Sequence, residues 1–261
     1  MFDIIKDAIS LVRYKTSNLF YNNSDETVLA YHSIGKIDRR NDSYKINLDP
    51  LLFGKQIEFL THFKERKLTL TFDDGFKNFF ENAFSLVLRY NIGAVLFVTT
   101  DFIDGKMSFN AFLGDNIDIQ PLNWQQIREI SDNGIEIGSH TLSHPDLTKL
   151  DRKAAEKEIG NSKKKIEDMI GKKVRYFAYP FGSRQAFSDP IKQIVKDSGY
   201  ERAYTNIMGF NDADTDPYEL RRIRIYSGDN MFRFQMKIKG AYNWVDSVNA
   251  AGFKKCLKIK T

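Results

Sequence analysis

The stretch TLTFDDGF, residues 69–76, sets two carboxylates side by side at the end of an apolar run. Asp73 and Asp74 repel each other unless a cation or a shared proton gives them different roles. The run LTLTF (68–72) reads as a strand, so the acidic pair falls where that strand ends. Taken alone, DDG also suits an exposed turn, where Asp and Gly are favoured for backbone reasons. Outward from this point, short apolar runs alternate with helical patterns. Further strands are expected at 27–31 (TVLAY), 93–98 (GAVLFV), 135–138 (IEIG), 176–179 (YFAY), 202–205 (RAYT) and 221–226 (RRIRIY). The helices between them carry end signals. Asp49-Pro50 opens one; Asn123 and Gln126 form a capping box for a helix closed by Gly134; the segment from Asp151 to Ile170 stops at Gly171; and Ser188-Asp189-Pro190 opens one closed by Gly199. Such alternation specifies an α/β chain with a parallel sheet of βαβ units, and about seven strands suit a barrel.

At 261 residues the chain fits one barrel domain, read as a catalytic domain over 27–261 preceded by an extension over 1–26. The extension has Ile4, Ile5, Ala8, Ile9, Leu11 and Val12 at helical spacing, but Asp3, Lys6 and Asp7 interrupt the apolar core a signal peptide needs. It reads as an amphipathic helix covering a barrel end, with weak membrane-surface association as the alternative. No apolar stretch approaches the ~20 residues that cross a bilayer. The single cysteine, Cys256, allows no internal disulfide, and the expected location is cytoplasmic, at most at the inner face of the membrane. The net charge of +5 is spread along the chain, which argues against a nucleic-acid partner, although Lys163–Lys165 and the tail Lys254-Lys255 could touch acidic lipids or phosphates.

The chemical residues follow the strands. His32 comes after VLAY, Asp73 and Asp74 after LTLTF, and His140 after IEIGS. In a (β/α) barrel the carboxyl ends of all strands meet on one face, so distant motifs converge there. GSHTLSHPDL (138–147) supplies His140 and His144 with three residues between them. Two imidazoles so spaced can share one side of a helical turn or tight loop. With a carboxylate they make the His2Asp set that holds a divalent metal and leaves positions for water and substrate. If Asp74 joins His140 and His144 on the metal, Asp73 is left as a base within reach of the activated water.

TFDDG, HTLSHPDL and FAYPFG in this order resemble the polysaccharide deacetylase family, the NodB-homology domains of carbohydrate esterase family four, over residues 27–226. The resemblance implies a distorted (β/α)7 barrel. It implies Asp73 as general base, and Asp74, His140 and His144 as metal ligands. It gives Phe181 a backbone N–H that stabilises the oxyanion, with Tyr179, Pro180 and Phe181 at the substrate. Family members often carry an arginine where this chain has Ala178; Arg222 or Arg224 could supply the guanidinium, unless they are surface residues of an alternating strand. A late Leu-x-His motif is missing, since no histidine follows His144. The early YHSIG (31–35) and LDPLLFGKQIEFL (48–60) resemble the permuted exopolysaccharide N-deacetylase branch, which implies His32 as general acid. His62 reads as a partly exposed helix residue. Trp124, Phe109 and Phe112 are further candidates for a sugar wall within or beside the irregular loop from Asp101 to Pro121, with core packing the simpler role for Trp124.

The expectation is therefore a metal-dependent hydrolase, with Zn2+ by default and Co2+ or Ni2+ fitting the same ligands. Its substrate would be an N-acetylated glycan or a nucleotide- or lipid-linked sugar. The rivals are a decayed carbohydrate-binding protein on the same scaffold and a deacylase of a small non-sugar amide.

Overall fold

The computed structural model describes residues 6–12, 26–36, 42, 44–63, 67–109 and 119–245. Each expected strand forms. They are β1 (Glu26–Tyr31), β4 (Lys67–Phe72), β5 (Ala94–Val98), β6 (Glu136–Ser139), β7 (Tyr176–Ala178), β8 (Arg202–Tyr204) and β9 (Ile223–Arg224). All seven join one parallel sheet in the order β8-β7-β6-β5-β4-β1-β9. Two short strands not anticipated, β2 (Ser33–Ile34) and β3 (Asn47–Leu48), pair with each other after His32.

The last strand is shorter than RRIRIY implies, for a reason that also shapes the molecule. Ahead of β9 the chain bonds to β8: Leu220 N donates to Ala203 O at 2.9 Å and Thr205 N donates to Leu220 O at 2.8 Å. It then crosses to β1, where Ile225 N donates to Ala30 O at 3.0 Å. One segment thus shares its ladder between both edges of the sheet and curls it into a distorted (β/α)7 barrel of a single domain. Strand periodicity confirms the curl. Leu96 and Val98 of β5 pack in the large cluster with helix residues, whereas Val95 and Phe97 pack with Val28, Ala178, Tyr204 and Leu220. Residues of β1, β5, β7 and β8 can share one small cluster only on a concave face. Gly138 of β6 keeps that interior open, because a Cβ there would come within 2.3 Å of the Phe97 ring.

The helices follow their capping signals. In α1 (Pro50–Thr61) the Asp49 side chain accepts from Leu51 N and Leu52 N, and Pro50 takes the first turn. The capping box of Asn123 and Gln126 is complete at α5 (Trp124–Asp132). α6 (Arg152–Ile170) is capped by Asp151 and ends at Gly171 with φ 71°. α7 (Asp189–Asp197) has Pro190 in its first turn, but Ser188 makes no side-chain cap. Four helices carried no clear sequence signal: α2 (Lys77–Asn82), α3 (Phe84–Arg89), α4 (Thr100–Ile103) and α8 (Met231–Ile238). The N-terminal segment 6–12 is helical, and its Asp7 pairs with Arg233 of α8. Ile4, Ile5, Phe112, the tail lysines and Cys256 lie outside the described residues. No helix among the described residues is long and apolar enough to cross a membrane.

Candidate active site

At the carboxyl end of β4 the two aspartates part company. Asp73 keeps its N–H on Tyr31 O at 3.0 Å, while Asp74 turns into the left-handed region at φ 76°, which Asp tolerates better than most residues. Gly75 follows at φ 87°, where a Cβ would also stand 3.0 Å from Ile103. Both carboxylates are buried, yet they face different groups.

Asp73 is gripped by Arg222. Nη1 donates to Oδ1 at 2.7 Å and Nη2 to Oδ2 at 2.8 Å, a bidentate pair with both side chains fully buried. The guanidinium is held in turn: Nη1 also donates to Thr71 Oγ1 at 3.0 Å, Nε donates to Thr205 O at 2.7 Å, and the group lies over the Phe97 ring. Burial pushes the Asp73 carboxyl up, but Arg222 and the neighbouring imidazoles hold it well below the usual carboxylate range. His32 Nε2 lies 3.7 Å from Asp73 Oδ2. Burial takes this imidazole down to about 4, against the opposing pull of Asp73.

Asp74 lies in the opposite electrostatic state. Burial first and the Asp73 charge second push its carboxyl well above the usual range. Its Oδ1 is buried, makes no hydrogen bond, and faces His140 Nε2 at 3.6 Å and His144 Nε2 at 3.7 Å. One ligand atom from each of these three residues lies within 4.8 Å of the other two. His140 Nδ1 is 2.7 Å from Ala178 O, so Nδ1 carries the proton and Nε2 presents a lone pair towards Asp74. Burial also lowers both imidazoles and keeps them neutral. Acceptors closing on one another in a dry site call for a cation between them. Donor separations of about 3.4 Å are what zinc bond lengths give in a tetrahedral site, close to those seen. The residues fit a divalent metal.

The loop that delivers the imidazoles is a tight turn, not a helix. Thr141 and His144 have φ of 69° and 56°, and His144 N donates to Thr141 Oγ1 at 2.9 Å. Glu158 on α6 clamps the loop: its Oε2 accepts from Leu142 N and Ser143 N, both at 3.0 Å, and its Oε1 accepts from Ser143 Oγ at 2.7 Å.

The cavity over these groups brings together His32, Asp73, Asp74, His140, His144 and Phe181. Phe181 has φ 61°, is 44% exposed and sets its ring edge-on against His144 at 4.9 Å. Phe109 also reaches the cavity, although it is largely buried against Phe76 and Phe102. Arg222 answers the missing arginine at 178, whereas Arg224 lines the cavity wall. Other expected positions are corrected. Tyr179 does not reach the cavity: it is fully buried, stacks on Phe187 and donates its hydroxyl to Tyr218 O at 3.0 Å. Pro180 is buried beside it and is also absent from the cavity wall. Trp124 is held at the head of α5 by Asp104, and His62 is exposed at the end of α1. Tyr44, Ile46, Asn206 and Tyr226 line the cavity without having been anticipated. Asn206 and Tyr226 follow β8 and β9, so the strand-end rule could have found them; Tyr44 and Ile46 arrive on the β2–β3 connection, which has no sequence signature.

A curled parallel sheet with an Asp-His-His cluster at its carboxyl-end face defines an α/β barrel whose mouth could hold a metal ion. Residues 61–203, more than half of the chain, match the family model for polysaccharide deacetylases, and the chain belongs to that family. It is 26% identical over 164 residues to YxkH of Bacillus subtilis, covering 63% of this chain and 53% of that protein. It is 25% identical over 249 residues to the poly-beta-1,6-N-acetyl-D-glucosamine N-deacetylase of Staphylococcus epidermidis, covering 81% of this chain and 82% of that enzyme. The chain thus spans little more than half the length of the first of these relatives. The deacetylase PplD of Streptococcus pyogenes shares the fold, with a TM-score of 0.69 at 21% identity over 82% of this chain and 98% of that one.

Proposed function

We propose that this protein hydrolyses the acetamide of an N-acetylated sugar, with Asp74, His140 and His144 holding a divalent metal, zinc by the character of the donors. The observation that carries the reading is the division between adjacent carboxylates: Asp73 is ion-paired with Arg222, while buried Asp74 faces two imidazole nitrogens. Family membership and the likeness to the staphylococcal N-deacetylase support the acetamide as the bond broken and a glycan as its carrier.

A bound divalent ion would supply a Lewis acid for the carbonyl and acidify the attacking water. The chain's own residues do the rest. Asp73, ionised and oriented by Arg222, accepts the water proton. The left-handed turn at Phe181 offers its backbone N–H to the developing oxyanion. His32, neutral in the free site and 3.7 Å from the Asp73 carboxylate, takes up the proton that Asp73 has accepted from the water and passes it to the leaving amine. The products are acetate and a free amino sugar. The decayed-scaffold alternative rested on Ala178 and the missing late histidine; Arg222 on Asp73 and His32 in the cavity favour the active reading over it.

Acetate release from N-acetylglucosamine oligosaccharides with added zinc or cobalt tests the activity. Asp73→Asn should lose at least ~1,000-fold in kcat with its metal content intact, while Asp74→Ala loses both. Equal metal loss in the two variants would sink the division of roles. A cytoplasmic site of action belongs to the same proposal, and fractionation that finds the native protein outside the cell overturns it.

A further inference from the structure

Phe181 and Gly182, just past β7, are consecutive residues in the left-handed region, at φ 61° and 59°. Gly182 N donates to Pro180 O at 2.7 Å, which makes a γ-turn centred on Phe181, and with a positive φ this is the rare, strained form. A residue with a side chain keeps such a conformation only where its surroundings hold it. Asn206, two residues past β8, supplies the hold. Its backbone N–H donates to Gly182 O at 2.7 Å and its side-chain Nδ2 donates to Phe181 O at 3.2 Å, so one residue grips two successive carbonyls. The approach is close enough to need glycine at 182, since a Cβ there would stand 2.6 Å from Asn206 N. The same peptide unit also reaches the base. Thr205 O, across the 205–206 peptide from the Asn206 N–H, accepts from Arg222 Nε at 2.7 Å, and Arg222 makes the bidentate pair with Asp73.

We infer that Asn206 is a positioning residue for the reaction: through the 205–206 peptide it ties the turn that presents the Phe181 N–H to the arginine that orients Asp73. The inference rests on the hydrolytic reading of the cavity and adds to it the residue that sets the oxyanion donor relative to the base. Hydrogen bonds in a chain polarise one another, so the Arg222 guanidinium on Thr205 O strengthens the Asn206 N–H as a donor to Gly182 O. Stability does not account for the side chain. Its Oδ1 is buried and has no hydrogen-bond partner among the described residues, a desolvation cost that offsets what the Nδ2 bond contributes.

The test measures acetate release from N-acetylglucosamine oligosaccharides by the zinc-loaded protein, alongside calorimetric zinc affinity, the urea midpoint and NMR hydrogen exchange of the Gly182 N–H. Asn206→Ala should lower kcat about 10–100-fold, the scale of a donor displaced by about 1 Å, and move KM less than about three-fold. Asn206→Asp, equal in shape but with an oxygen in place of the donor to Phe181 O, should lose more. In both variants zinc affinity should stay within about two-fold and the urea midpoint move little, while Gly182 exchange speeds at least about ten-fold as the turn opens. A kcat within about two-fold of wild type, or a fall matched by lost zinc affinity, would overturn the inference. Faster Gly182 exchange in Asn206→Ala, with no acetate from the wild type, would uphold the tie and refute the hydrolytic reading instead. Unchanged exchange with no acetate would sink both.

Discussion

Asp73 and Asp74 differ by one position and by almost everything a carboxylate can feel. Arg222 makes the difference, since it neutralises one acid inside the barrel and leaves the other to the imidazoles. A buried ion pair is weak evidence for stability as a pair, but losing one partner strands a charge in a dry interior. Arg222→Met should therefore cost about 3–5 kcal/mol in urea unfolding, and Arg222→Met/Asp73→Asn should recover most of it without recovering acetate release. A single-variant loss under about 1 kcal/mol would mean that water reaches Asp73 and that Arg222 is not its sole support.

Among the elements, α6 links the scaffold to the site. Its Glu158 holds the turn that carries both imidazoles, so Glu158→Ala should weaken zinc binding about 10–100-fold in a calorimetric titration while the global unfolding midpoint moves little. Unchanged zinc affinity would assign the turn's shape to Thr141 and the barrel alone. A second tie, Asp104 at the end of α4, receives Trp124 Nε1 from α5 at 3.0 Å and also Lys165 from α6. Burial raises its carboxyl, but hydrogen bonds from Lys165, Lys106 and Trp124 outweigh that and bring it down to about 2. Because the folded value lies below the ordinary 3.8, the folded state binds fewer protons between the two. The stabilisation from this carboxylate is complete above about pH 4 and is lost as the pH falls to about 2. The difference in urea midpoint between wild type and Asp104→Asn should be present at pH 5 and vanish near pH 2; a difference constant across that range would refute the linkage.

For the molecule as a whole, the proposed metal ligands come from two separated strand ends, β4 and β6, with β5 between them. An ion bound there would cross-link the barrel mouth and stabilise only the folded state. Zinc at ~100 times its Kd should add about 2.7 kcal/mol, which for a chain of this size raises Tm by roughly 5–10 °C. A chelator should reverse the shift and Asp74→Ala abolish it, as differential scanning fluorimetry would show; a zinc response retained in Asp74→Ala would place the ion elsewhere.

Much of this architecture was legible before any coordinates. Period-2 apolar runs with capped helices between them gave the strands and α1, α5, α6 and α7, because those signals are local and rest on backbone chemistry. Strand ends carrying Asp73, Asp74, His32 and His140 then implied a shared face. The broken helix pair α2–α3 and the terminal α8 escaped because their apolar faces answer to partners distant in sequence. Tyr179 was misplaced for a related reason: β7 is only three residues long and does not show which face the side chain just after it joins. Arg222 and Arg224 are two residues apart in one alternating run, yet one is sealed against Asp73 and the other lines the cavity. The sequence by itself determined which residue types and intervals could make the site, since spacing and capping are properties of the local chain. Only the tertiary structure decided which arginine met which aspartate, because the segment that switches from β8 to β1 closes the barrel and thereby turns Arg222 inward.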